Sequence, residues 1–257
     1  MLTNKIVFIT GASSGIGALA ARLASERGAV PILAARSEAK LRRAAEAVPG
    51  PHGICPLDVG SEESVEAAVL KVIEEYGRID ILINNAGYGR FETAEEMDLA
   101  DYEGIMNVNY LGVVRCTKAV LPHMRRNGSG QIVTVASMAG KFATAKSAGY
   151  AASKHAVLGF MNSLRQELHG SGIAVSSINP GPIDTPFFET ADPGGSYIQN
   201  VSRFILPPEK VAREMVRIME TRRDEIDLPR YLGIVIRLYG LMPRTADKLA
   251  RRFLNLK

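Results

Sequence analysis

Short apolar, β-branched runs alternate along this chain with longer segments of helical period, and no other feature restricts its fold so strongly. Strands that are each followed by a helix form a parallel sheet covered by helices on both faces, and such strands read as near-continuous apolar runs. Strands are expected at 5–10, 30–34, 53–57, 79–84, 131–135, 174–179 and 225–228, with helices at 15–26, 38–47, 62–76, 99–126, 150–169 and 208–221. Seven strands fit one doubly wound α/β sheet. No linker or internal repeat breaks the pattern, so residues 1–257 are expected to form a single domain. The segment 182–207 is rich in Pro, Gly and Thr and is expected to be a long loop, of the kind that closes over a site as a lid.

The first apolar run, Ile6 to Ile9, leads straight into Thr10, Gly11, Ala12, Ser13, Ser14, Gly15, Ile16 and Gly17, after which an alanine-rich helical segment begins. Glycines suit a strand-to-helix junction where the backbone turns sharply and approaches a pyrophosphate, with the helix N-terminus facing the negative charge. The spacing here is G-x-x-x-G-x-G rather than G-x-G-x-x-G. At the tip of the second strand, where an acidic residue would hold the ribose 2′-hydroxyl of NAD, stand Arg36 and Ser37. An arginine beside a hydroxyl favours the 2′-phosphate of NADP(H), whereas an acid would repel it. Asp58 and Val59 follow the third strand; Asp58 either approaches the adenine or caps the helix starting near Ser61.

Tyr150 and Lys154 lie four residues apart, on one face of a helix, and Ser137 lies just beyond the fifth strand, where open α/β sheets bind ligands. A neighbouring ammonium group stabilises a phenolate and so readies a tyrosine for proton transfer.

With these landmarks the chain resembles the short-chain dehydrogenase/reductase family along nearly its whole length. The resemblance rests on Thr10-Gly11 to Gly17, Asn84-Asn85-Ala86-Gly87, Asn109 in N-Y-L-G, Ser137 thirteen residues before Tyr150, Lys154, and Pro180-Gly181-Pro182-Ile183-Asp184-Thr185. It implies a Rossmann-type fold and reversible hydride transfer between a nicotinamide and a carbonyl or alcohol carbon. In that frame Tyr150 is the general acid or base and Ser137 bonds the substrate oxygen. Lys154 binds the nicotinamide ribose and lowers the Tyr150 pKa, and Asn109 holds a proton-relay water. Thr185 and the backbone of Ile183, with Pro180 and Gly181 just before them, fix the carboxamide, and Asn85, Ala86 and Gly87 support the cofactor. Asn107 competes with Asn109, and the spacing to Gly112 favours Asn109. Met138 and Phe142 are either core or substrate-pocket wall. Phe187 and Phe188 are expected to touch substrate, since adjacent rings on a polar loop need an apolar partner. His155 is expected to serve helix packing.

The ending departs from the commonest family pattern, which closes on a strand carrying aspartate and paired glycines that builds a tetramer. Residues 229–242 are instead apolar on nearly all faces, and 244–257 combine Ala246, Leu249, Ala250, Phe253 and Leu254 at helical spacing with Lys248, Arg251 and Arg252. This C-terminal helical extension, 229–257, resembles that of family members acting on steroids, retinoids or long-chain lipids.

Composition narrows the remaining classes. With 46% hydrophobic and 23% charged residues and a mean hydropathy of +0.03, intrinsic disorder and a polytopic membrane protein are excluded. Residues 1–228 carry 24 Lys/Arg against 26 Asp/Glu while 229–257 carry seven against one, so the basic charge is local and does not point to nucleic acid. Two cysteines, Cys55 and Cys116, build no disulfide framework, and no metal-ligand spacing with histidine exists. No signal peptide or membrane-spanning run is read, and a cytoplasmic location is expected. The expectation is an NADP(H)-dependent oxidoreductase acting on an apolar, lipid-, steroid- or ketoacyl-like carbonyl or alcohol, working as a homodimer or other homo-oligomer. A non-catalytic nucleotide-binding sensor or scaffold and a sugar-nucleotide epimerase or dehydratase are the competing classes; the first has no need of a proton donor, and the second is usually longer. A basic amphipathic tail can also lie on an anionic membrane surface, but packing against the pocket or a second subunit is favoured.

Overall fold

A computed structural model describes residues 2–241. Its seven-stranded sheet is parallel throughout, in the order β3-β2-β1-β4-β5-β6-β7. The strands are β1 (Ile6–Thr10), β2 (Val30–Ala35), β3 (Gly53–Pro56), β4 (Ile81–Asn84), β5 (Gly130–Val135), β6 (Ile173–Pro180) and β7 (Glu225–Leu228). Strand order reverses between β1 and β4, which opens a crevice at the C-terminal strand ends.

Period-two alternation sorts each strand's side chains between two cores. From β1, Ile6 and Phe8 join the core under α3 (Glu62–Tyr76), α5 (Gly112–Arg126) and α6 (Ala148–Glu167), together with Val65, Cys116 and Met161. Val7 and Ile9 join the opposite core under α1 (Gly15–Ser25), α2 (Glu38–Ala45) and α9 (Pro208–Thr221), together with Ala21, Leu41 and Met215. Both cores are continuous across the central strands, so the sheet is a fixed platform for the loops at its C-terminal edge.

Two segments differ from the sequence expectation. The helix expected over 99–126 is divided: α4 (Leu99–Met106) passes through a π-helical turn, Asn107–Leu111, into α5. Nothing in the local apolar period marks such an inserted residue, and π turns concentrate at functional sites. The loop expected over 182–207 carries α7 (Phe187–Ala191), α8 (Ser196–Val201) and a single 3₁₀ turn, Ser202–Phe204. These pieces are shorter than two helical turns, too short to establish a period in sequence. After β7, α10 (Arg230–Leu241) occupies the apolar stretch. The basic helix expected over 244–257 lies outside the described residues. No helix among the described residues is long and apolar enough to cross a membrane.

Candidate active site

A cleft of about 1810 Å³ opens along the C-terminal strand ends. Its floor on the β1 side is the glycine turn. Gly11 and Gly15 have φ of +66° and +56°, which favours glycine at both. A Cβ on Gly11 would stand 2.8 Å from Ala86 Cα, and one on Gly17 would stand 2.6 Å from the Gly11 carbonyl. The turn is tied to β4 by Asn85, whose Nδ2 donates to Thr10 O at 2.9 Å and to Gly11 O at 3.1 Å, while Thr10 Oγ1 accepts from the Asn85 and Ala86 N–H groups at 3.0 Å each. Asn85 thus supports the cradle as expected of its position, and Asn84 turns inward to Thr117 and Thr134. Helix α1 starts without a side-chain cap and without an acid in its first turn. Its positive end is left for an anion.

Gly11, Ser13, Ser14, Gly15, Ile16 and Gly17 line this half of the cleft, as do Arg36, Ser37, Asp58 and Val59. Arg36 is exposed and makes no ion pair among the described residues. Ser37 caps α2, accepting from Lys40 N–H at 3.4 Å, and Lys40, which the sequence reading missed, also faces the cleft. Asp58 does not cap α3. Its Oδ1 accepts from Gly60 N–H at 2.8 Å, and Ser61 takes the cap by accepting from Ser64 N–H at 3.2 Å. On the far side, Gly87, Pro180, Gly181, Ile183 and Thr185 line the wall, with Thr185 Cγ2 set 3.7 Å from where a Gly15 Cβ would be. A glycine cradle and an uncapped helix end fit a dinucleotide.

Ser137, Tyr150 and Lys154 line the cleft together, Tyr150 in contact with both of the others. Ser137 ends the run after β5 and caps a 3₁₀ turn, Met138–Gly140, by accepting from Ala139 N–H at 3.1 Å. Lys154 is buried, donates to Val135 O at 2.9 Å, and holds its Nζ 5.7 Å from the Tyr150 ring centroid. Burial pushes the Lys154 ammonium down to about 8. Burial likewise pushes the Tyr150 phenol up to about 12, against a hydrogen bond from Ser137 that pulls it down and a neighbouring Tyr197 that pushes it further up. Burial dominates at Tyr150, so in the protein alone the phenol is held protonated.

Asn109 is completely buried and does not reach the cleft wall. Its Nδ2 donates to Tyr88 O at 2.8 Å and Ser153 Oγ at 3.1 Å, and its Oδ1 accepts from Tyr88 N–H at 2.9 Å. The side chain braces the strand-end loop behind Gly87. Asn107 does line the cleft, but its amide is held by Arg115 at 2.8 Å and by Gly60 O at 3.4 Å. His155 lies on the exposed face of α6, bonded to Ala151 O of its own helix at 2.8 Å, which corrects the packing expectation.

An aromatic group roofs Tyr150. Phe187 meets it edge-on at 5.6 Å between centroids and Phe91 at 5.7 Å; Phe91 in turn stacks on Tyr197 at 3.9 Å and packs on Phe188 at 5.9 Å. Met138 and Phe142 line the same region, so both belong to the pocket wall, as do Leu232, Val235 and Ile236 of α10. Sequence reasoning missed Phe91 and Tyr197, because they lie in distant segments and only the fold brings them together.

Comparison with known proteins shows the family. The short chain dehydrogenase family model matches residues 5–194. Dehydrogenase/reductase SDR family member 7 of Mus musculus is 36% identical over 253 residues, covering 93% of this chain and 75% of that protein. An alcohol dehydrogenase from the archaeon Thermococcus sibiricus, complexed with 5-hydroxy-NADP, superposes with a TM-score of 0.78 at 29% identity over 87% of this chain and 95% of its own. A 3-ketoacyl-(acyl-carrier-protein) reductase from Brucella melitensis, complexed with NADH, does so at 0.81 and 26% identity over 88% and 97%. The chain belongs to the short-chain dehydrogenase family of oxidoreductases.

Proposed function

We propose that this protein is an NADPH-dependent reductase of bulky apolar carbonyl compounds, able to run in reverse as an alcohol dehydrogenase. The observation that carries the reading is Tyr150, hydrogen-bonded to Ser137 under a roof of Phe91 and Phe187. An apolar wall selects an apolar substrate, and two hydroxyls at its foot select the one polar atom such a substrate presents, a carbonyl oxygen.

Gly11 to Gly17, Arg36 and Ser37 hold the phosphates, and Asn85 to Gly87 with Ile183 and Thr185 flank the nicotinamide end. A bound nicotinamide coenzyme supplies the hydride for reduction or takes it up in oxidation. The chain's own residues handle the oxygen and its proton. Ser137 and Tyr150 donate hydrogen bonds to the carbonyl oxygen and polarise it; as charge develops there, the Tyr150 proton moves to that oxygen, leaving a phenolate that the Lys154 ammonium stabilises. Reprotonation of Tyr150 from solvent restores the acid. A phenol protonated at neutral pH is the form that reduction needs. Arg36, exposed and without a carboxylate partner among the described residues, supports NADPH over NADH.

The test is reduced-nicotinamide oxidation against a panel of fused-ring ketones, 3-ketoacyl esters, aldehydes and diketones, with NADPH and NADH compared. Turnover of the bulky apolar members with NADPH is expected. No turnover of any carbonyl, or turnover restricted to small polar ones, overturns the reading.

A further inference from the structure

Behind the Ser137 turn lies a polar cluster that proton delivery does not use. Lys141, which closes the turn, places Nζ 2.6 Å from Asp227 Oδ1 and 2.7 Å from Glu225 Oε1. Asn179 Nδ2 donates to the same two oxygens at 2.8 and 2.6 Å. Asn179 is fully buried, Asp227 is buried, and the Lys141 side chain is 18% exposed. Three elements therefore converge on one ammonium group: the turn after β5, the end of β6 and strand β7.

A fourth element joins through a missing side chain. A Cβ on Gly233 of α10 would lie 2.8 Å from Asp227 Cβ and 2.9 Å from Cγ, and closer still to Oδ2. Only glycine lets α10 rest directly on that aspartate. Leu232 and Val235, one residue before and two residues after Gly233, line the cleft, as do Met138 and Phe142 on either side of Lys141. The cluster thus joins two pieces of the cleft wall without touching the reacting atoms.

We infer that Lys141 and Asp227 are positioning residues that fix the width of the substrate space by tying the Ser137 turn to α10. The physical reason is the charge count. Buried Asp227 and the more exposed Glu225 share one ammonium and one amide; without the ammonium the Asp227 carboxylate is left buried with no cation beside it among the described residues, and the cheapest relief is entry of water as β7 and α10 separate from the turn. The inference rests on the reading of this cleft as a carbonyl-reducing site.

The experiment compares the wild-type chain with Lys141→Met, Lys141→Arg and Gly233→Ala, using cyclohexanone as a small ketone and a fused-ring ketone such as tetralone as a large one. NADPH affinity is titrated in parallel, and amide hydrogen exchange is followed across 230–241. Lys141→Met is expected to leave NADPH affinity unchanged and to raise KM for the large ketone about tenfold, the size of effect a contact network carries. The KM for cyclohexanone and both kcat values should move less than about threefold, within the spread of surface substitutions. Exchange in α10 should accelerate. Lys141→Arg should restore the large-ketone KM, and Gly233→Ala, which removes no charge, should reproduce the Lys141→Met pattern. If Lys141→Met fails to fold, Gly233→Ala carries the same comparison. Equal changes on both ketones, no change in KM, or no rescue by arginine overturns the inference while leaving the carbonyl reading intact. A wild-type chain inert toward both ketones instead overturns the carbonyl reading, and unchanged α10 exchange in the variants then removes the tie as well.

Discussion

Around Gly11, Gly15 and Gly17 the cleft wall is main chain, pressed against Ala86 and braced by Asn85. Around Tyr150 it is rings, contributed by the loop after β4, by α6 and by the two short helices of 182–207. The first kind of wall tolerates almost no change in shape, because an added methyl group there meets backbone. The second can be altered ring by ring. One side therefore recognises a fixed, common ligand, and the other can be tuned to a particular substrate on an unchanged platform.

The largest expected effect lies where the two sides meet. Tyr150→Phe keeps the ring packed against Phe91 and Phe187 and removes the proton donor; turnover should fall by roughly 10² to 10⁴. The dissociation constant for NADPH, measured by fluorescence titration, should stay near the wild-type value. If turnover on a confirmed substrate survives, the division of labour between the two sides is misplaced.

On the glycine side, Arg36→Asp sets a carboxylate where the 2′-phosphate is expected. Loss of charge-assisted hydrogen bonds of about 1.5 to 3 kcal/mol should cost tenfold or more in NADPH affinity and leave NADH affinity close to unchanged. Equal dissociation constants for the two coenzymes in the unmutated chain would refute the phosphate reading of Arg36.

The pH dependence sharpens the same comparison. Lys154 is pushed down to about 8 and Tyr150 up to about 12. Below about 8 the ammonium is charged and the phenol protonated, the pair that reduction needs. Above it Lys154 loses its proton and its stabilisation of the phenolate. The rate of reduction should be level through neutrality and decline severalfold between about pH 8 and 10, as read from a pH profile of kcat; a rise over that interval would contradict the assignment.

The smallest effect is expected within the aromatic roof. Phe91→Ala removes a stacked partner of Tyr197 and an edge contact to Tyr150, interactions of about 0.5 to 1.5 kcal/mol each beyond burial. A KM increase of about two- to tenfold for a bulky ketone is expected, with NADPH affinity unmoved. A coenzyme effect of the same size would mean that the roof serves both sides.

The contrast also explains what the sequence revealed. The glycine turn, the β-strand runs and the Tyr150–Lys154 spacing are local, each decided within a few residues, and all seven strands fall within a few residues of where their apolar runs place them. The π turn at Asn107–Leu111 is not local: it inserts one residue into a helix whose apolar period reads through it. It also turns Asn109 inward to Tyr88 and Ser153, which spacing alone does not show. The substrate wall was the least legible part. Phe187 and Phe188 stood out as a pair, but Phe91 and Tyr197 are separated by more than a hundred residues and acquire meaning only when stacked. The same holds for Lys141 and Asp227, an ion pair formed between distant segments.

The central claim is that this cleft transfers a hydride to an apolar carbonyl carbon while Tyr150 supplies the proton to oxygen. It is tested most directly by reducing a fused-ring ketone with NADPH that carries deuterium at the transferable position, in ordinary water, and locating the label by mass spectrometry and NMR. The account predicts an alcohol with one deuterium on the former carbonyl carbon and an exchangeable hydrogen on oxygen. An alcohol without deuterium at that carbon, or oxidation of the coenzyme with no alcohol formed, would contradict it.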